Sequence, residues 1–155
     1  MAPPMYEVCC PLPADTANLG ARLAPMLEAG DIVLLVGELG SGKTLFAGGL
    51  AAGLGVEERV TSPSFVLVRQ YHSGFLPLTH ADIYRLRTRN EFEDLDLVVD
   101  SEDGVLVIEW GDAIEAELPG DHLRVEFEVG ADEARTISFT PSGRWVSRLP
   151  GGLLL

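Results

Sequence analysis

Eight residues, Gly37-Glu38-Leu39-Gly40-Ser41-Gly42-Lys43-Thr44, constrain this chain more than any other feature. They satisfy, at every fixed position, the glycine-rich pattern that wraps phosphate between a buried strand and a helix. Glycines let the backbone curl until successive N–H groups face a common point. The helix that follows adds its free N-terminal donors and its dipole. Both flanks have the required character: Ile32–Val36 is an unbroken run of β-branched residues and leucine, the pattern of a strand buried on both faces, and residues 43–54 read as a helix closed by Gly55. Lys43 is also the only lysine, arginine supplying the rest of the 11 basic residues. In such a loop the lysine reaches the β and γ phosphates and the Thr44 hydroxyl ligates Mg²⁺, with Leu45 next along the helix. A glycine-rich turn that binds nothing is the bland alternative, and the strand–loop–helix context weighs against it.

The remaining text predicts an α/β fold of the small P-loop type, a mostly parallel central sheet with antiparallel strands added at the C-terminal end. A length of 155 residues suits one domain, expected over residues 1–150, with 151–155 a frayed tail. Residues 6–10 read as a short strand. Asp15 is a candidate N-cap for a helix carrying Leu19, Leu23, Met26 and Leu27, disturbed at Pro25 and ended by Gly30. Residues 65–71 look extended, His72-Ser73-Gly74 turns, and 76–81 pair back. A helix is expected over 90–99 and a second buried strand over 105–108, ending at Glu109. After Pro119 the alternation predicts strands at 123–129 and 135–140, with 145–148 a candidate third.

Composition narrows the classes. A hydrophobic fraction of 46% with 23% charged residues is that of a soluble globular chain, not a disordered or fibrous one. No apolar run is long enough to span a bilayer, and no basic residue precedes an apolar stretch at the start, so a cytoplasmic protein without membrane contact is expected. With 24 acidic residues the formal charge is -13. Such a chain repels a phosphate backbone, and any RNA in its function is expected on a partner. Cys9 and Cys10 are adjacent, so on a strand they point to opposite faces, and they read as buried small residues with no mutual disulfide.

A phosphate loop needs a carboxylate beside its metal. Glu109, directly after four apolar residues, is the favoured candidate. Asp82 either orients the attacking water or caps the turn before Ile83, and the residues alone leave that even. His80 reads either as a positioner of Asp82 or the metal shell, or as a packed histidine. Trp110 reads as a core or rim aromatic before a base-stacking one. Thr61-Ser62-Pro63-Ser64 suits a loop that orders on γ-phosphate contact, and equally a plain loop. Arg85, Arg87 and Arg89 suit a phosphate clamp or a solvated edge. No Asn-Lys-x-Asp segment is present, which favours ATP over GTP.

The P-loop, then Val60-Thr61-Ser62-Pro63-Ser64-Phe65, then His80-Ala81-Asp82-Ile83-Tyr84-Arg85-Leu86, then Ile108-Glu109-Trp110, resemble in order the TsaE family, bacterial ATPases of tRNA threonylcarbamoyladenosine biosynthesis. The resemblance runs from about Asp15 to Trp110. It implies a weak, partner-stimulated ATPase that uses ATP and Mg²⁺. It further implies that the chain is not the transferase but supports TsaD and TsaB, which modify the adenosine beside the anticodon, and that it meets tRNA only through them. Carried over by position, Lys43 holds phosphate, Thr44 and Glu109 ligate the metal, and Asp82 serves the hydrolytic water. Residues 61–65 match the nucleotide-responsive loop, and Trp110 lies beside the site. Ser41, Ser64 and Gly111 depart from the usual alanine, threonine and proline without removing a catalytic group. Two rivals stand beside this reading: a small-molecule kinase with an arginine-bearing lid, and a nucleotide-gated binding module that needs no turnover.

Overall fold

The computed structural model describes residues 5–61, 68–83, 96–110, 114–116 and 118–149. In chain order they form β1 (Tyr6–Cys10), α1 (Pro13–Leu23), a 3₁₀ turn (Ala24–Met26), β2 (Ile32–Val36), α2 (Lys43–Gly53), β3 (Val68–Tyr71) and β4 (Leu78–Asp82). Next come α3 (Leu97–Asp100), β5 (Val105–Glu109), β6 (His122–Val129), β7 (Arg135–Pro141) and α4 (Trp145–Arg148). Among the described residues, the strands make one sheet in the order β1-β7-β6-β2-β5-β4-β3. β2 runs parallel to β5 and β6, and β4 parallel to β5. β7 and β1 add an antiparallel edge, and β3 adds another beside β4. The expected architecture is therefore observed, with β6 on the parallel side of its junction.

β2 is central and apolar on both faces for that reason. Val33 and Leu35 join a cluster with Leu19 and Leu23 of α1 and Phe46 and Leu50 of α2. Ile32, Leu34 and Val36 join a second cluster with Leu106, Ile108, Leu97, Ile114 and Leu118. Removing a large member such as Phe46 costs about 3–5 kcal/mol through lost transfer energy and the cavity left. α1 and α2 cross closely because glycines face backbone. A Cβ at Gly49 would overlap the carbonyl of Ala17, and one at Gly53 would lie 2.6 Å from the Ala24 Cβ.

Four expectations are corrected. Asp15 is the third residue inside α1, not its N-cap, and its carboxylate accepts the Leu12 N–H at 2.9 Å. Pro13 starts the helix instead, where a missing N–H costs nothing. The regular helix stops at Leu23 and tightens into the 3₁₀ turn at Pro25, so Met26 and Leu27 are not on its face. Residues 145–148 are one helical turn and not a strand: Trp145 and Leu149, four apart, are both buried while Val146 is exposed. Cys9 is exposed and only Cys10 is buried, since β1 lies at the sheet edge with one face to solvent. Of the helix expected over 90–99, the described part is α3. Residues 90–95, the early part of the 65–71 stretch and the 151–155 tail lie outside the described residues. Among the described residues no helix is long and apolar enough to cross a membrane.

Candidate functional site

The carboxyl ends of the parallel strands β2, β4 and β5 meet, and the loop leaving β2 lies there. Within that loop Gly40 has φ +79° and Gly42 has φ +110°, values that L side chains rarely adopt. Gly37 cannot carry a side chain either, because a Cβ would sit 2.7 Å from Ser41 Oγ and 3.0 Å from the Phe127 carbonyl. Gly42 is the N-cap of α2, so the helix opens as the loop closes. Glu38 and Leu39 form the exposed tip.

Lys43 is 5% exposed. Its ammonium donates to the carbonyls of Gly37 at 2.5 Å and Glu38 at 2.9 Å. The Trp110 ring covers it, with Nζ 3.8 Å from the centroid. A desolvated cation needs such partners. Trp110 itself has φ +66°, an uncommon value for a bulky residue that costs of order 1–3 kcal/mol, and it follows β5 directly. That turn aims the ring at the lysine.

Glu109 ends β5 and lies opposite Asp82, the last residue of β4, in the parallel register. Both are buried. The Thr44 hydroxyl stands 3.4 and 3.5 Å from the two Glu109 carboxylate oxygens. His80, two residues before Asp82 and fully buried, meets Glu109 Oε2 through Nε2 at 2.5 Å. One cleft of about 240 Å³ is lined by Leu39, Gly40, Gly42, Lys43, Thr44, Leu45, Asp82, Glu109 and Trp110. The donor set suits Mg²⁺: a hydroxyl and a carboxylate, both hard oxygens, face each other in a cleft beside a phosphate-type loop. Magnesium taken with phosphates needs only one or two such protein groups.

The structure thus brings Lys43, Thr44, Asp82, Glu109, His80 and Trp110 together. Thr61 is described as exposed. Ser62, Pro63, Ser64, Tyr84 and Arg85, like Arg87, Arg89, Phe65 and Gly111, lie outside the described residues. Sequence reasoning missed Arg135, which donates through Nε to the Ser41 carbonyl at 3.1 Å and through Nη2 to the Gly40 carbonyl at 3.2 Å. As an ordinary polar position in an alternating strand it carried no signal.

Against known proteins, the family model described as threonylcarbamoyl adenosine biosynthesis protein TsaE matches residues 10–137. The chain is 49% identical over 138 residues to the tRNA threonylcarbamoyladenosine biosynthesis protein TsaE of Streptomyces coelicolor, covering 84% of this chain and 93% of that one. Its counterpart in Treponema pallidum is 43% identical, with 80% and 92% covered. Among solved structures, the crystal structure of Bacillus subtilis YdiB superposes with a TM-score of 0.82 at 31% identity, over 99% of this chain and 96% of that one.

Proposed function

This chain belongs to the TsaE family, and from that premise we propose that it is the ATP-hydrolysing accessory of threonylcarbamoyladenosine formation on tRNA, acting in the cytoplasm with TsaD and TsaB. The observation that carries the ATPase reading is the convergence of Lys43, Thr44, Asp82 and Glu109, from α2, β4 and β5, on one cleft. In it Lys43 exchanges its two loop carbonyls for phosphate oxygens of ATP, under the cover of Trp110. Thr44 and Glu109 are the residues that would hold Mg²⁺, which when bound offsets phosphate charge. Asp82 accepts a hydrogen bond from the attacking water and orients it. His80 holds the Glu109 carboxylate at Oε2. A formal charge of -13 leaves tRNA to the partner proteins.

The test is ATP hydrolysis by the purified chain, alone and with TsaB and TsaD, with Lys43→Ala as control. Slow turnover alone, acceleration by the partners and its loss in the variant are expected. If the partners neither bind nor change the rate, the accessory role fails. Asp82→Ala should bind ATP and fail to hydrolyse it, and full partner function in that variant would make the chain a nucleotide-gated binding module instead.

A further inference from the structure

Arg135 lies on β7, two strands away from β2 and outside every motif that marks the site. Its guanidinium nevertheless spends its donors on backbone: Nε on the Ser41 carbonyl, Nη2 on the Gly40 carbonyl and Nη1 on the carbonyl of Glu133 in the adjoining hairpin. Two successive peptide groups of the phosphate loop are therefore held from a distant part of the chain. Neither of these loop peptides is cis, and a trans peptide directs its C=O and N–H to opposite sides. Holding the Gly40 carbonyl sets the Ser41 N–H, which donates to the Glu38 carbonyl at 3.1 Å. Holding the Ser41 carbonyl sets the Gly42 N–H on the side away from Arg135. Both peptides adjoin glycines at positive φ, where a peptide rotates with little steric resistance. The Ser41 N–H bond holds one of these peptides from within the loop, and the guanidinium holds both from outside it, restricting the freedom that the glycines allow.

We propose that Arg135 is a positioning residue for nucleotide binding: it clamps the carbonyls of residues 40 and 41 so that the Gly42 N–H faces the cleft lined by Gly40, Gly42, Lys43 and Thr44. This rests on the nucleotide reading above. An arginine is needed because its planar fork spans two carbonyls at once, whereas a lysine offers a single point.

The test measures the affinity of the full chain for ADP with magnesium by calorimetry, beside a thermal melt. Arg135→Ala and Arg135→Lys should each weaken ADP by on the order of tenfold while keeping the wild-type melting temperature. Millimolar guanidinium chloride should restore binding to Arg135→Ala, and sodium chloride at equal concentration should not. Unchanged affinity in Arg135→Ala overturns the clamp, as does wild-type binding by Arg135→Lys or a loss that guanidinium leaves untouched. Where the truncation unfolds the chain, Arg135→Lys decides alone, since it keeps the charge and most of the stem. A wild-type chain that fails to bind ADP fails before any variant is compared; it overturns the nucleotide reading, and the clamp with it.

Discussion

The charge of a lysine only 5% exposed must be compensated, and Lys43 has two carbonyls and an indole face to do so. The lysine was conspicuous in the sequence by being the only one. Its cover was not, because Trp110 reaches it only through a left-handed turn after β5 that no local propensity announces. The His80 imidazole meets Glu109 Oε2, and on the proposed reading it orients a metal ligand, a kind of partner whose removal typically costs about 10–100-fold in metal affinity. His80→Ala should raise the magnesium needed for half-maximal hydrolysis and weaken the magnesium-dependent part of ADP binding, with His80→Gln closer to wild type. An unchanged magnesium titration would show that the histidine merely fills space. The cysteines divide as their strand faces do. Burial pushes the Cys10 thiol up, so it stays protonated and shielded. A thiol reagent near neutral pH should label Cys9 in the native chain and reach Cys10 only on unfolding; two equally fast labels would contradict the burial of Cys10.

Packing between α1 and α2 turns on which glycines face backbone. Gly48 and Gly49 are neighbours on α2 with opposite surroundings: a Cβ at Gly48 meets nothing, and one at Gly49 runs into Ala17. Gly48→Ala should therefore raise stability by up to about 1 kcal/mol through helix propensity. Gly49→Ala should lower it by about 1–3 kcal/mol through overpacking. Melting curves for the two variants separate these signs, and equal shifts would mean that the helices do not cross as described. The helices themselves were legible from Leu19, Leu23 and the run after Lys43. Their close crossing was not, because glycine at a helix contact and glycine at a turn look alike in one dimension. The same limit misplaced 145–148, where four residues cannot separate a period of two from a helical turn.

Across the fold, Arg148 ties the end of the described chain back to the turn before β2. It forms a two-pronged pair with Asp31 at 2.8 and 2.7 Å, donates to the Met26 carbonyl at 2.5 Å and stacks over Trp145. Asp31 is buried, so Arg148→Met removes its cationic partner and leaves its carboxylate with the Glu28 N–H; the pair being partly screened, the loss should be about 2–3 kcal/mol, read as a lower melting temperature. The Asp31 hydrogen bond holds the Arg148 guanidinium above its ordinary value. A raised group contributes fully below its unfolded value and loses that contribution only as pH rises through the folded one, so this tie should not vary with pH near neutrality. Asp121 works the other way. The Arg144 backbone N–H, then its side chain, hold the carboxyl below 3.8. A lowered carboxylate stabilises above its unfolded value and loses that contribution as pH falls through the folded one. Melting temperature should therefore decline below about pH 4, and less steeply in Asp121→Asn; parallel slopes would remove Asp121 from the account.

The octapeptide at Gly37–Thr44, the two apolar runs and the alternating strands were written locally. Glycine placement, hydrophobic period and charge act over a few residues, and they determine the α/β class and the sheet's mixed character and single out Lys43, Thr44 and Glu109 as candidates, while leaving Asp82 even between a site residue and a turn cap. The folded arrangement alone decides whatever depends on residues far apart in the chain. The parallel register sets Asp82 against Glu109, His80 meets that Glu109 carboxylate, Trp110 closes over Lys43, and Arg135 grips a loop 94 residues away. A sequence lists the groups that such contacts require, but strand order and the sheet's register decide which of them meet.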